Sequence, residues 1–213
     1  MKVAILSESA ADEAVLRILV EGVLGRETEH VPTQSLRTRG WPSVREVIPP
    51  VLKHLYYHIE AEAFVVVADS NHSPVHVEQA EKTGRCHPLC RLCLLRESIH
   101  QVQSNLSLRP DRPRLKTAIG LAVPIIEAWY HCGRDPQVSE AAWISGLQDK
   151  SDPYTKNGLK QAVYGTDRQS LELGKRRGIE EATRLVKKLA ALEKRFPIGF
   201  GSLARDVRAW RDA

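Results

Sequence analysis

The side chains of this sequence best suited to chemistry are hard oxygen donors placed at or shortly after the ends of short apolar runs. Asp69 and Asn71 close and follow "AFVVVAD" (63–69). Glu8 follows "KVAIL" (2–6), with Asp12 and Glu13 just beyond it, and Glu127 follows "LKTAIGLAV" (115–123). Carboxylates brought together repel one another unless a cation neutralises them, and an all-oxygen donor set suits magnesium or manganese. Each pattern also has an ordinary explanation. Asp-x-Asn builds turns, acids in a helix's first turn complement its dipole, and a glutamate on an amphipathic helix faces water. Taken alone, "VVVADSNHS" fits a turn. Three strand ends carrying such residues together point to a cation.

Sulfur and imidazole offer a second set. "CHPLCRLC" holds Cys86, His87, Cys90 and Cys93, and His131 and Cys132 come later. C-x3-C-x2-C is not a standard zinc knuckle. Cys90 and Cys93 share a helical stretch with Leu89, Leu92 and Leu94, so they are expected as small packing residues and no zinc is expected at Cys86, Cys90 and Cys93. His72 follows the Asp-x-Asn pair and offers a proton shuttle or a phosphate contact, or is a plain loop residue. His76 reads as a helix-start residue. In "HLYYHIE" (54–60), Leu55 and Ile59 mark a packed face. Trp129 is expected between the sheet and the C-terminal helices, and Trp41 as a loop anchor. No Ser–His–Asp or Cys–His order, no dinucleotide glycine fingerprint and no G-x-x-x-x-G-K-[ST] phosphate loop is present.

The elements that must position these groups follow from periodicity. Apolar runs at 2–6, 63–69 and 115–123 read as buried strands, with a weaker strand at 27–33. Helical spacing marks 10–24, with Ser9 as cap, and 87–106. A helix from Ser43 must kink or split at Pro49–Pro50. Residues 124–132 begin a helix at once, with Pro124 in its first position. Strands alternating with helices imply a parallel sheet with crossover helices, an α/β fold. Past residue 136 only helices are expected, at 139–148, 155–164, 168–175, 179–195 and 201–211. The chain therefore divides into an α/β core, 1–135, and a helical C-terminal subdomain packed on it, 136–213. In an open parallel sheet the carboxyl ends of the strands share one edge, where ligands bind, and this brings Glu8, Asp69, Asn71 and Glu127 together.

With 213 residues, 42% hydrophobic and 27% charged, the composition is that of an ordinary globular protein. No apolar run reaches the length of a membrane span, and "MKVAILSESAADE" lacks the pattern of a secretory signal, so a cytoplasmic protein with reduced cysteines is expected. The formal net charge is +5. Its basic residues gather in the later part, in "RPDRPRLK", "KRR" and "RLVKK". A basic surface beside an acidic cluster suits a phosphate-handling protein, and solvated helix faces account for such charges equally well.

Several segments resemble Toprim domains (topoisomerase–primase type), as found in OLD-family nucleases and in a related set of uncharacterised bacterial proteins. "LSESAADEAVLRILV" is similar to their "EG-x-x-D-E" opening, with Ser9 in place of the glycine. "VVVADSNHS" resembles their strand followed by D-x-D or D-x-N. "AVPIIEAWYHCG" is similar to an "I-E-A-W-L" segment. "DPYTKNGLKQAVYG" and "RFPIGFGSLARDVRAW" resemble the helical stretches that follow. The resemblance implies a Toprim-like parallel sheet flanked by helices. It gives Glu8 the place of the general acid or base, Asp69 that of the first metal-binding aspartate and Asn71 that of a second aspartate. Asp12 takes the place of the acid that OLD-type nucleases add, and Glu127 matches the "EAW" glutamate. Asn71 removes one charge, which weakens a second cation site.

The function expected is a magnesium- or manganese-dependent nucleic-acid phosphodiesterase, acting on DNA ahead of RNA and placed in bacterial or phage-related defence. Glu8 and Asp69 are the catalytic candidates, and Glu8, Asp12, Asp69, Asn71 and Glu127 the metal set. Lys116, Lys156, Lys160 and Arg176 are candidates for the phosphate backbone. An ATPase or other defence-system protein is a possible partner, and a homodimer is plausible. The alternative is a non-catalytic Toprim-like subunit that binds nucleic acid or a partner protein.

Overall fold

Three apolar runs rich in small and β-branched residues lie side by side, as strands buried on both faces must, and a short strand of Glu29, His30 and Val31 flanks them. The structure is a computed structural model that describes residues 1–33, 40–41, 43–76, 86–107 and 109–211. Its strands are β1 (Lys2–Leu6), β2 (Glu29–Val31), β3 (Ala63–Asp69) and β4 (Lys116–Ala122). They form one fully parallel sheet in the order β2-β1-β3-β4. The register pairs Val3 with Ala63, Leu6 with Val66 and Asp69 with Ala122, so the carboxyl ends of β1, β3 and β4 lie on one edge.

The helices are α1 (Ala10–Leu24), α2 (Ser43–His54), α3 (Arg91–Ser104), the single turn α4 (Glu127–Tyr130), α5 (Glu140–Asp149), α6 (Lys156–Tyr164), α7 (Leu171–Val186), α8 (Leu189–Arg195) and α9 (Phe200–Ala209). Alternation along the strands sends side chains to two cores. Val3, Ile5, Val65 and Val67 meet α1, α7 and α9 on one face. Ala4, Leu6, Phe64 and Val66 meet α2 and α3 on the other. The result is an α/β fold of three layers. The C-terminal helices supply part of a layer: Ala182, Leu185, Phe200 and Leu203 belong to the same core as Val3 and Val65. Trp129 is fully buried there, edge-on to Phe200 at 5.3 Å. Among the described residues, no helix is long and apolar enough to cross a membrane.

Several elements differ from expectation. α2 runs through Pro49 and Pro50 to His54 and continues into a π-helical turn, Leu55–Ile59. The amide donors lost at the two prolines would have met the carbonyls of Arg45 and Glu46, residues that are half-buried and exposed. Val44, Ile48, Val51 and Leu52 anchor the opposite face. Ile59, expected in the packed face, is exposed, whereas Leu55 and Tyr56 are buried. The helix expected from Pro124 begins only at Glu127, and the Pro124 carbonyl instead accepts from the Asn71 amide.

The two helices expected at 168–175 and 179–195 are redrawn as α7 and α8. Gly174 and Gly178 sit inside α7, where they serve contact with α1 instead of ending a helix. A Cβ on Gly178 would lie 2.6 Å from Val15 Cγ2, and one on Gly22 of α1 would lie 2.8 Å from Val186 Cγ2. Missing side chains on both helices let the two backbones approach closely.

Candidate functional site at the carboxyl edge of the sheet

From β1 the chain turns toward β2 on one side, and from β3 toward β4 on the other. The β1–β3 junction is therefore the point where connections diverge, which leaves a crevice at the carboxyl edge of such sheets. Glu8 and Asp69 stand at this junction. Glu8 Oε1 accepts from the Asp69 amide at 3.1 Å, and Asp69 Oδ1 accepts from the Ile126 amide at 3.1 Å. The loop after β3 is sewn to the end of β4: the Ser70 amide donates to Ala122 O at 2.7 Å and the Asn71 amide to Pro124 O at 2.8 Å. Those bonds carry Glu127, buried at the start of α4, to the same edge. Ser9 caps α1 through the Asp12 amide, and its hydroxyl donates to Asp12 Oδ2 at 2.8 Å. Glu8, Ser9, Asp12, Tyr164, Ser170 and Gly174 line a crevice of about 270 Å³.

The electrostatics show how closely these acids sense one another. Burial pushes the Asp12 carboxyl up to about 7. The charges of Glu127, Glu8 and Glu13 add to this, and the Ser9 hydroxyl opposes it. Burial also holds Asp69 well above the usual carboxylate range, with Glu8, Asp12 and Glu127 adding repulsion against the Ile126 amide. Glu127 is raised by burial and eased by its own backbone contact, by Lys160 and by the Tyr164 hydroxyl. The Tyr164 hydroxyl also bonds to Tyr130. No three of these carboxylates bring oxygens within 4.8 Å of one another.

Basic groups rim the cluster. An Arg91 guanidinium nitrogen donates to Asp69 O at 2.5 Å, senses the charges of Glu8 and Asp69, and stacks over Trp41 at 5.0 Å. Lys156 Nζ donates to Asn71 Oδ1 at 2.9 Å. Asn71 itself has a left-handed backbone, φ 51°, within a turn closed by the Ser73 amide on Ser70 O at 2.9 Å. Asparagine tolerates that conformation better than most residues. The turn explanation and the edge position are thus both present at Asn71, and its carboxamide faces a lysine.

Of the expected residues, Glu8, Asp12, Asp69, Asn71, Glu127, Lys156 and Lys160 come together. Lys116 does not. It starts β4 opposite Ala63, at the far end of the sheet from Asp69, and its Nζ donates to Trp210 O at 3.0 Å. Strand position fixes this, because the carboxyl and amino ends of β4 face opposite edges. Arg176 is exposed on α7. His72 points outward, its ring 5.7 Å from Trp143 and its Nε2 3.9 Å from Asp152. His131 and Cys132 are separated from the other cysteines, since Cys132 packs in the α1-side core and Cys90 in the α2-side core.

Two residues of the site were not anticipated. Tyr164 had a usable signal, because Lys156, Lys160 and Tyr164 are spaced by four and share one face of α6. Arg91 had none, as its partner is a backbone carbonyl. No family model, curated protein or solved structure matches this chain.

Proposed function

We propose that the chain is a magnesium- or manganese-dependent phosphodiesterase of Toprim type that acts on nucleic acid in the cytoplasm, DNA ahead of RNA. The observation that carries this reading is the convergence of Glu8, Asp12, Asp69 and Glu127 from three strand ends, with Asp12 pushed up to about 7 by burial and by its neighbours' charges. The donor set fits such an ion. Every group is a hard oxygen, and a dication would offset the burial, and with it the mutual repulsion, that raise Asp12 and Asp69. The looseness of the cluster fits magnesium, which keeps several waters and uses few carboxylates.

Asp12, Asp69 and Glu127 would hold the ion, directly or through water. When bound, it supplies neutralisation of phosphate charge and a more acidic water. Glu8 lies on the crevice with one carboxylate oxygen taken by the Asp69 amide, leaving the other to accept or return a proton. Arg91, Lys156 and Lys160 orient a phosphate diester by charge. Cleavage of plasmid or single-stranded DNA with Mn²⁺ tests the proposal. Cleavage that persists unchanged in Glu8→Ala and Asp69→Ala would overturn it.

A second reading has its own observation. Lys156 occupies Asn71 Oδ1, where a second aspartate would help to hold a second ion. A subunit that binds nucleic acid or a partner protein without cutting fits that arrangement. DNA binding by the folded chain, with no cleavage in Mg²⁺ or Mn²⁺, selects this reading. A defence-system ATPase partner and a homodimer belong to both readings as proposals.

A further inference from the structure

Three thiols and an imidazole meet where the chain passes from β3 into α3. His76, after the Ser70–Ser73 turn, is 2% exposed. Cys90 stands at the N-cap of α3, Cys93 lies in its first turn, and Cys86 comes just before. His76 Nδ1 is 3.2 Å from Cys93 Sγ and 3.8 Å from Cys90 Sγ, and Cys86 Sγ is 2.8 Å from Cys93 Sγ. The donor atoms of His76, Cys90 and Cys93 all lie within 4.8 Å of one another; Cys86 Sγ touches Cys93 and stands outside that group, so it must swing inward to complete a set of four. Among the described residues, no other group of three or more His, Cys, Asp or Glu side chains is drawn so close.

The two His76–thiol separations are those of ligands around a single ion. With metal–sulfur bonds of about 2.3 Å and metal–nitrogen bonds of about 2.0 Å, tetrahedral corners stand about 3.5 Å apart for sulfur and nitrogen and about 3.8 Å for two sulfurs. The two His76 distances straddle the first value. Cys86 and Cys93 are closer than the second and need to part by about 1 Å to share an ion. A [4Fe–4S] cluster bonds each thiolate to a different iron and so holds them farther apart.

Packing explains the group less well. A buried thiol behaves as a small hydrophobe among apolar neighbours. Cys90 and Cys93 do pack against the α2-side core, but Cys93 also contacts two other thiols and a ring nitrogen, and Cys86 and Cys93 are only half-buried. The C-x3-C-x2-C spacing lacked a fourth ligand, and the fold supplies it from ten residues upstream.

We propose that His76, Cys86, Cys90 and Cys93 form a structural zinc site with the pattern His-x9-Cys-x3-Cys-x2-Cys. Four protein ligands close the coordination sphere, so the ion's role is to hold structure and not to activate water. The site pins the loop after Asp69 to the first turn of α3. Arg91, next to Cys90, is thereby fixed against the carbonyl of Asp69. The inference does not depend on any reaction at the carboxyl edge.

Elemental analysis of the full chain, expressed with zinc and purified without chelator, tests this site. About one zinc per chain is expected, released by a thiol-blocking mercurial. Cobalt replacing it should show the charge-transfer and visible bands of a tetrahedral thiolate site. His76→Ala and Cys93→Ser should each lower zinc affinity by about tenfold or more. Cys132→Ala, on the other face of the sheet, should retain the metal. If the ligand variants fail to fold, cobalt titration of the stripped wild type decides: absence of the thiolate–cobalt band overturns the site. Protein purified essentially free of zinc, a Cys86–Cys93 disulfide in freshly isolated protein, or full zinc retention in folded His76→Ala and Cys93→Ser also overturns it.

Discussion

Replacing Asp12 with asparagine removes the cost of a buried charge, and the repulsion from its neighbours, at the carboxyl edge. The substitution removes one charge and keeps an oxygen for the Ser9 hydroxyl, which donates at 2.8 Å. A carboxyl moved from its ordinary 3.8 to about 7 carries an ionisation cost of about 4 kcal/mol when fully charged. Water in the crevice screens part of it, and a proton on Asp69 relieves Asp12 as well, so a gain of about 1–3 kcal/mol is expected for Asp12→Asn at about pH 8 in chelator. The sign follows from proton counting. Unfolded Asp12 loses its proton near 3.8 and folded Asp12 keeps it to about 7. Between those values the native state binds more protons, and wild-type stability falls as pH rises. Asparagine does not titrate, so the gap opens across that window and is largest above it. At about 2–4 °C per kcal/mol for a chain of this size, the melting temperatures should differ by about 3–10 °C. Thermal unfolding by circular dichroism between about pH 5 and 8, first in EDTA and then in Mn²⁺, measures it. Manganese should narrow the gap by stabilising wild type alone. The reasoning fails if Asp12→Asn is no more stable than wild type at the higher pH in EDTA, or if the gap is the same at both ends.

Glu140, 1% exposed, accepts from the Ile198 and Gly199 amides at 2.7 and 2.8 Å. Glu140→Ala strands both donors and should cost about 2–5 kcal/mol in urea unfolding, with Glu140→Gln milder. Gly178→Ala forces a methyl against Val15, itself fully buried. Overpacking of about 1–3 kcal/mol should outweigh the helix propensity gained, read as a lower melting temperature. Asn71→Asp adds a carboxylate beside Lys156 and should raise Mn²⁺ affinity about tenfold in calorimetric titration. An unchanged affinity would place the ion away from Asn71.

The strands were legible because each is a short uninterrupted apolar run, and β3, with its first six residues buried, was the plainest. The acids that follow β1, β3 and β4 were legible for the same reason, since a parallel sheet sends all three to one edge. The break expected between 175 and 179 is not there: one helix, Leu171–Val186, runs through it, and Gly178 admits α1. A glycine that ends a helix and one that admits a neighbouring helix look alike until the neighbour is known. Lys116 misled in another way: composition showed a basic residue near a strand, and only register showed which end it occupied. His76 was invisible as a partner of Cys93 because nothing in the spacing ties a loop residue to a helix seventeen positions later.

α6 reaches the acidic edge with one face. Lys156 contacts Asn71, while Lys160 and Tyr164 both act on Glu127. Part of the counter-charge at this edge is therefore delivered by a single nine-residue rod from the C-terminal part of the chain, beside Arg91 of α3. Any cation that takes over the charge of Glu127 competes with Lys160 for it, so filling the edge and loosening α6 are two sides of one equilibrium. A spectroscopic label on the exposed side of α6 would then report occupancy of the edge without touching it.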